Sequence, residues 1–470
     1  MQVRPSIPRD KYRAVRRKDL AELPQFRHLD SEDRIAMLAV SAVLPFRTNQ
    51  YVIEELIDWD NIPDDPLYQL TFPQHGMLDS DDFRRMVDLI TRKTDRRQMQ
   101  AAAREIAYRL NPHPAGQRQH NVPKYKGQPI PGMQHKYSDT ALYFPAQGQT
   151  CHAYCTYCFR WAQFSGIEEL TFRGNETELL HAYLREHTEI SDILFTGGDP
   201  MTMRTRLLRR YIIPLLGRGF EHIRQIRIGT KALAFWPHRF VSDADADDFL
   251  RLIEEIRAVG KLPAIMAHYS HPVELSTGIS REAVRRVQDA GAVIRSQAPL
   301  VRHVNDSSSI WHELWKTQVS LGIIPYYMFV ERDTGPKEYF EVPLARALRI
   351  YKRAYRRLSG LARTVRGPVM STMPGKVLLT GTADIHGEKV FVMNMLRGRR
   401  PDWERRPFFA HYDDEATWLT DLEPALGEHE FFFEPELRNL LHGARRRARP
   451  RTGIHPLHDH HDRLELHPDS

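Results

Sequence analysis

The chain has 470 residues and three cysteines, all within one short segment, Cys151-x3-Cys155-x2-Cys158. Thiolates are soft ligands suited to iron–sulfur clusters or zinc. Three of them leave one iron of a four-iron cluster uncapped, open to a ligand from outside the protein. A zinc site completed by His152 or another residue is the alternative, beside thiols with no ligand at all. Structural zinc commonly takes four protein ligands, with cysteine pairs at C-x2–4-C spacing, and this chain has no second pair. An odd, clustered set is also a poor disulfide framework. The spacing favours a four-iron cluster.

Two further segments place chemistry-bearing residues at turns. Phe195–Thr196–Gly197–Gly198–Asp199–Pro200 closes an apolar run. Glycines there let a backbone come close to a ligand, although such a segment alone is more often an ordinary turn. Pro374–Gly375–Lys376 ends a loop on a lysine. It is not a P-loop, because Met370 occupies the first glycine position of GxxxxGK and Val377 follows the lysine.

The elements that must position these residues follow from the apolar pattern. Residues 1–115 read as a mostly helical N-terminal region, with helix starts at Asp30–Ser31–Glu32 and Ser80–Asp81–Asp82. Residues 112–135, rich in Pro and Gly, read as a linker. From about 136 to 360, the candidate strands TALYFPA, DILFTG, QIRIGTK, PAIMAHYS, AVIRSQAPL and IIPYYMFVE alternate with amphipathic stretches. Repeated βα units predict an α/β fold with a parallel sheet, as a full or partial (β/α) barrel over residues 116–395. In such folds chemistry gathers at the C-terminal ends of strands. Residues 396–442 read as an ordered C-terminal extension, and 443–470 as a disordered Arg/His-rich tail. His458, His460 and His461 in that tail are a weak candidate metal site.

The net charge of +7 is modest for this length. It favours a solvated basic surface over a nucleic-acid site, and it suits an anionic substrate or cofactor. No run of about 18 apolar residues indicates a membrane span. The basic N-terminus lacks a signal-peptide core, so a cytoplasmic location is expected.

C-x3-C-x2-C after a candidate strand, with Tyr157 directly before the third cysteine, resembles the radical S-adenosylmethionine (SAM) signature. The resemblance implies a barrel carrying a [4Fe–4S] cluster on Cys151, Cys155 and Cys158. SAM would chelate the open iron and be cleaved reductively to methionine and a 5′-deoxyadenosyl radical. The Gly197–Gly198–Asp199 segment is similar to the glycine-rich segment that receives the methionyl amino group. Tyr157, Gly197, Gly198, Asp199, His268 and Gln297 are the SAM-binding positions so implied.

HKYSDTALY (135–143), TGGDP, RIGTK (227–231), AHYSHP (267–272), SQAPLVRHVND (296–306) and PYYMFV (325–330) are similar to the ordered fingerprints of the lysine 2,3-aminomutase family. The likeness runs from roughly residue 50 to 395. It implies a pyridoxal phosphate (PLP)-dependent isomerase that moves an α-amino group of a free amino acid to the β-carbon. A reducing partner such as flavodoxin or ferredoxin would feed the cluster, and a homo-oligomer is open. By the same resemblance Lys376 is the lysine that carries PLP. Lys136 and Thr140 stand where the family has two arginines for the PLP phosphate. Arg160 matches an arginine that pairs with the substrate carboxylate.

Two departures stand out. Lysine-specific members use carboxylates to hold the distant ammonium group, but Arg332 falls at the first such position, between Glu331 and Asp333, and the loop VMSTMPGK has no acid for the second. Lysine is therefore not the expected substrate, and Arg332 suits an anionic end group. The family's zinc-binding cysteines near the C-terminus are also absent. Radical SAM chemistry without PLP, or directed at a protein or RNA through the basic tail, is the competing expectation.

Overall fold

The computed structural model describes residues 12–110, 121–167 and 171–448. Eleven strands form one sheet: β1 (Met133–Tyr137), β2 (Thr140–Tyr143), β3 (Asp192–Phe195), β4 (Gln225–Thr230), β5 (Leu262–His268), β6 (Val293–Leu300), β7 (Ile324–Val330), β8 (Arg366–Ser371), β9 (Gly375–Ile385), β10 (Glu388–Gly398) and β11 (Pro407–His411). From β2 to β8 each strand lies parallel to the next. The helices Thr177–Glu186, Thr205–Ile212, Ala246–Ala258, Gly278–Asp289, Ser308–Ser320 and Leu344–Arg356 lie in the crossovers between them. The six candidate strands thus form where the apolar pattern predicts them, with a helix in each crossover.

The ends of the sheet depart from the repeat. β1 pairs antiparallel with β2, and β9, β10 and β11 extend β8 in antiparallel fashion. A closed (β/α) barrel takes eight parallel strands. Here the long β9–β10 hairpin follows the seventh, and the edge strands β1 and β11 do not pair among the described residues. The sheet is open, so no closed barrel forms.

Burial alternates along several parallel strands. In β4, Ile226, Ile228 and Thr230 are buried while Gln225, Arg227 and Gly229 are partly accessible; β6 repeats this, with Ile294, Ser296, Ala298 and Leu300 buried against Arg295 and Gln297. A parallel sheet covered on both faces reads as continuous apolar runs. The alternation puts one face of these strands in the core and leaves polar and cationic side chains partly accessible on the other.

The N-terminal region combines the helices Ser31–Val43, Ser80–Thr91 and Arg96–Arg109 with a short strand pair, Ala14–Arg16 against Arg47–Asn49. Asp30 and Asp79 cap two of these helices. Residues 121–135 include a second small pair, Lys124–Tyr125 against Gln128–Pro129, so that part of the expected linker is structured. The extension builds a core of its own on the outer strands, with Trp403, Phe408, Trp418, Phe431 and Phe433 packed on Phe391 and Met393. The helix Glu434–Ala448 runs into the segment expected to be disordered. His458, His460 and His461 lie outside the described residues.

Candidate functional site

The cysteine loop follows β2, at the C-terminal side of the parallel strands. It turns tightly, with the Cys158 amide donating to the Cys155 carbonyl (3.1 Å) and the Trp161 amide to the Cys158 carbonyl (2.8 Å). The N-terminal region clamps it from outside. The Tyr154 amide donates to Arg47 O (2.8 Å), the Thr156 amide to Leu70 O (2.9 Å) and the Tyr12 hydroxyl to His152 O (2.8 Å). His152, the proposed zinc partner, packs its ring edge-on against Tyr12, 5.4 Å between centroids. Burial pushes all three thiols up, Cys155 to about 12. Thiolates at such positions need a cation beside them, which bound iron or zinc supplies. Among the described residues no three His, Cys, Asp or Glu side chains are gathered at metal-binding spacing. The fit of a cluster therefore rests on ligand type, spacing and the shared loop.

Gly197 and Gly198 lie directly against the stem of this loop. A Cβ on Gly198 would come 2.4 Å from the Thr150 amide nitrogen, and one on Gly197 would come 2.1 Å from Gln149 Nε2. Gly197 also has φ of +140°, which side chains rarely adopt. The close approach that the glycines permit is to the protein's own chain, the Gln149 side chain for Gly197 and the Thr150 backbone for Gly198. The next amide, of Asp199, donates to Thr150 O (2.7 Å). The Asp199 carboxylate, 2% exposed, accepts from Thr230 Oγ1 (2.7 Å), the Lys231 amide (2.8 Å) and the Met201 amide (2.9 Å). Burial raises its pKa to about 6, against these hydrogen bonds, which lower it.

Lys231 continues the network into β5. Its Nζ pairs with Glu274 Oε1 at 2.6 Å, and Glu274 is fully buried. Glu274 also accepts from the Ser270 amide (2.5 Å). The Tyr157 hydroxyl shares hydrogen bonds with His268 Nε2 and Ser270 Oγ, both at 2.8 Å. Gln297 stands opposite His268 in the β5–β6 ladder. The structure thus joins the cysteine loop, the glycine segment and the ends of β4 and β5 into one hydrogen-bonded unit.

The remaining candidates are mostly cations. Lys376, near the start of β9, is half-buried. Its Nζ lies 4.6 Å from the centre of the Tyr327 ring. Burial lowers its pKa to about 7, with Arg227, Arg366 and Arg397 adding to the effect. Burial lowers Lys136 well below its ordinary value too, and its electrostatic neighbours, Arg399, Arg332 and Lys376, are all cations. Lys136 Nζ donates to Thr372 O (2.8 Å), and Thr140 Oγ1 donates to Asp139 Oδ1 (2.9 Å). Arg160 lies 4.4 Å over Phe144 and 5.0 Å over Phe159, with a buried Nη1 that has no hydrogen-bond partner among the described residues. Burial, opposed by Cys158 and Cys151 but reinforced by Arg332, lowers it to about 10. Arg332 lies 5.5 Å over the same Phe159 ring. Arg160, Arg332, Lys136 and Lys376 therefore share one electrostatic neighbourhood.

No protein-family model matches the chain. A protein of Aquifex aeolicus named as a candidate L-lysine 2,3-aminomutase is 30% identical over 416 residues, covering 88% of this chain and 97% of that protein. The chain belongs to the lysine 2,3-aminomutase family. The L-lysine 2,3-aminomutase of Bacillus subtilis is 30% identical over 50% of this chain and 46% of its own length. That of Clostridium subterminale is 27% identical over 47% of this chain and 50% of its own. The chain thus spans about half the length of these two relatives. A radical SAM methyltransferase structure from Sphaerobacter thermophilus is similar over 51% of this chain and 68% of that one, at 17% identity and a TM-score of 0.35; that likeness is too weak to argue from.

The structure also gathers around the cysteine loop residues that the sequence reading did not name. Thr230, Lys231, Ser270 and Glu274 hold the cysteine loop's surroundings, and three of them lie inside the matched segments RIGTK and AHYSHP. No helix among the described residues is long and apolar enough to cross a membrane.

Proposed function

We propose that the protein is a radical SAM, PLP-dependent amino acid 2,3-aminomutase acting on a free α-amino acid other than lysine. The observation that carries this reading is the grouping of Arg160, Arg332 and Lys136 with a lysine, Lys376, whose amine is half neutral near pH 7. Like charges in a desolvated cavity repel, and anionic ligands relieve that repulsion. A substrate carboxylate suits the Arg160 fork. The relatives are named for lysine, but Arg332 beside Arg160 disfavours a second ammonium group and suits an anionic side-chain end.

Cys151, Cys155 and Cys158 would hold the [4Fe–4S] cluster, and Lys376 would hold PLP. When bound, the cluster with SAM supplies a hydrogen-abstracting radical and PLP supplies the carrier for the migrating nitrogen. Lys376 offers a neutral nucleophile, because its pKa is already lowered. Arg160, resting on Phe144 and Phe159, orients the substrate through its carboxylate. Asp199, Lys231 and Glu274 fix the loop and strand ends on which the cluster side of the site depends.

The test is anaerobic reconstitution with iron, sulfide and PLP, followed by dithionite, SAM and a panel of amino acids. Glutamate-type substrates should stimulate 5′-deoxyadenosine formation and give a β-amino product, with little response to lysine. Stimulation by lysine alone would reject the substrate class. One observation favours a second reading. Lys136 and Thr140, the two positions matched to phosphate ligands, are engaged with Thr372 and Asp139. A radical SAM reaction without PLP would leave them so. Substrate-stimulated SAM cleavage in protein that never takes up PLP would establish it.

A further inference from the structure

A phosphate group needs cations that are not already engaged, and the tyrosine pair beside Lys376, Tyr326 and Tyr327, carries two. Arg227 is tied to Asp192 (2.6 Å), and Arg397 is tied to Asp139 (2.5 Å) and Glu404 (3.2 Å). Arg295 and Arg366 make no ion pair or hydrogen bond among the described residues and lie against aromatic rings instead. The Arg366 guanidinium is 4.6 Å from the centres of both Tyr326 and Tyr327, and that of Arg295 is 5.1 Å from Tyr326. Arg366 and Lys376 therefore flank one ring, that of Tyr327.

The ladder explains the convergence. Tyr327 stands opposite Arg366 on one side and Gln297 on the other, and Arg295 lies two residues before Gln297 on the same face of β6. A guanidinium seated on an aromatic face keeps its N–H fork available, and that fork matches phosphate oxygens bidentately. Both guanidinium groups lie against the Tyr326 ring with no acid paired to either among the described residues, and a dianion bound to both would balance their charge.

We infer that Arg295 and Arg366 form the phosphate-monoester site for PLP beside Lys376, a role the family resemblance assigns to positions 136 and 140. The inference rests on the PLP reading above and is separable from it. Lys136 and Thr140 keep their present partners, and the cofactor's phosphate is held at the strands β6 and β8.

The test compares PLP with pyridoxal, which lacks the phosphate, on the full chain. The readouts are the absorbance of lysine-bound aldehyde and the mass added to Lys376 after borohydride. Wild type should hold PLP at least about tenfold more tightly than pyridoxal, since a charge-assisted hydrogen bond is strong enough for that factor. Inorganic phosphate should weaken the attachment of PLP and spare that of pyridoxal. R295Q and R366Q should each lose about tenfold in PLP affinity with pyridoxal unchanged, and R366K should recover part of the loss. Variants that keep the wild-type preference for PLP would overturn the site while leaving PLP in place. Equal loss for both aldehydes would give the arginines a structural role and overturn it too. Should the variants not fold, phosphate competition on wild type decides. Wild type that attaches neither aldehyde at Lys376 would overturn the PLP reading itself.

Discussion

The amine of Lys376 lies 4.6 Å from the centre of the Tyr327 ring, with Phe329 the next ring at 5.8 Å. Burial, aided by Arg227, Arg366 and Arg397 and opposed by Asp192, brings its pKa to about 7, where a free lysine titrates near about 10.4. Attachment of PLP, trapped with borohydride, should therefore rise with a midpoint near pH 7. A midpoint near that of free lysine would reject the buried setting. The linked stability has a definite sign. Between the two pKa values the unfolded chain keeps a proton that the folded chain has lost, so this group favours folding more as pH rises through that window.

Lys231 and Glu274 give a prediction about stability. Their ion pair is buried, and Glu274 is fully enclosed. Removing one partner of a buried pair leaves an uncompensated charge, at a cost of about 3–5 kcal/mol. K231M should be destabilised by that order in denaturant unfolding, and K231M/E274Q by clearly less. Equal losses in the single and double variants would show that the pair is not coupled.

Much of this arrangement was legible in the chain. The cysteine spacing, the glycine segment and the six apolar runs located the loop and most of the strands, because local pattern dictates them. By resemblance, Asp199 and Tyr157 are positions for a ligand. The structure gives both side chains protein partners, Thr230 and Lys231 for one and His268 and Ser270 for the other. Those contacts join residues 31 to 113 positions apart, and no local pattern reports them. The βα repeat left both a full and a partial barrel open, because pairing at the ends of the sheet is not a local pattern. The antiparallel pairing that ends the βα repeat depends on the hairpin between β9 and β10.

Gly198 tests whether the glycine segment serves the loop stem. A methyl group there would press on Thr150 backbone, which cannot swing aside as a flexible side chain could. G198A should fold but displace the stem that leads into Cys151. The expected result is iron and sulfide content after reconstitution well below that of wild type, with the far-ultraviolet spectrum unchanged. Full iron content with normal SAM cleavage would mean that the stem yields without consequence.

Arg332 carries the argument about substrate. It shares the Phe159 ring with Arg160, and each guanidinium disfavours the other's charge. If Arg160 takes the substrate's α-carboxylate, Arg332 is placed for a second anion, and a side-chain ammonium would meet repulsion. R332D should reverse this preference. Stimulation of 5′-deoxyadenosine formation by glutamate-type substrates should fall at least about tenfold, the factor that loss of one charge-assisted hydrogen bond accounts for. The response to lysine should rise from the wild-type level. Cluster content and PLP uptake should stay as in wild type, since Arg332 is assigned to neither. Unchanged discrimination in R332D would show that Arg332 does not read the substrate's charge, and that the preference is set elsewhere in the cavity.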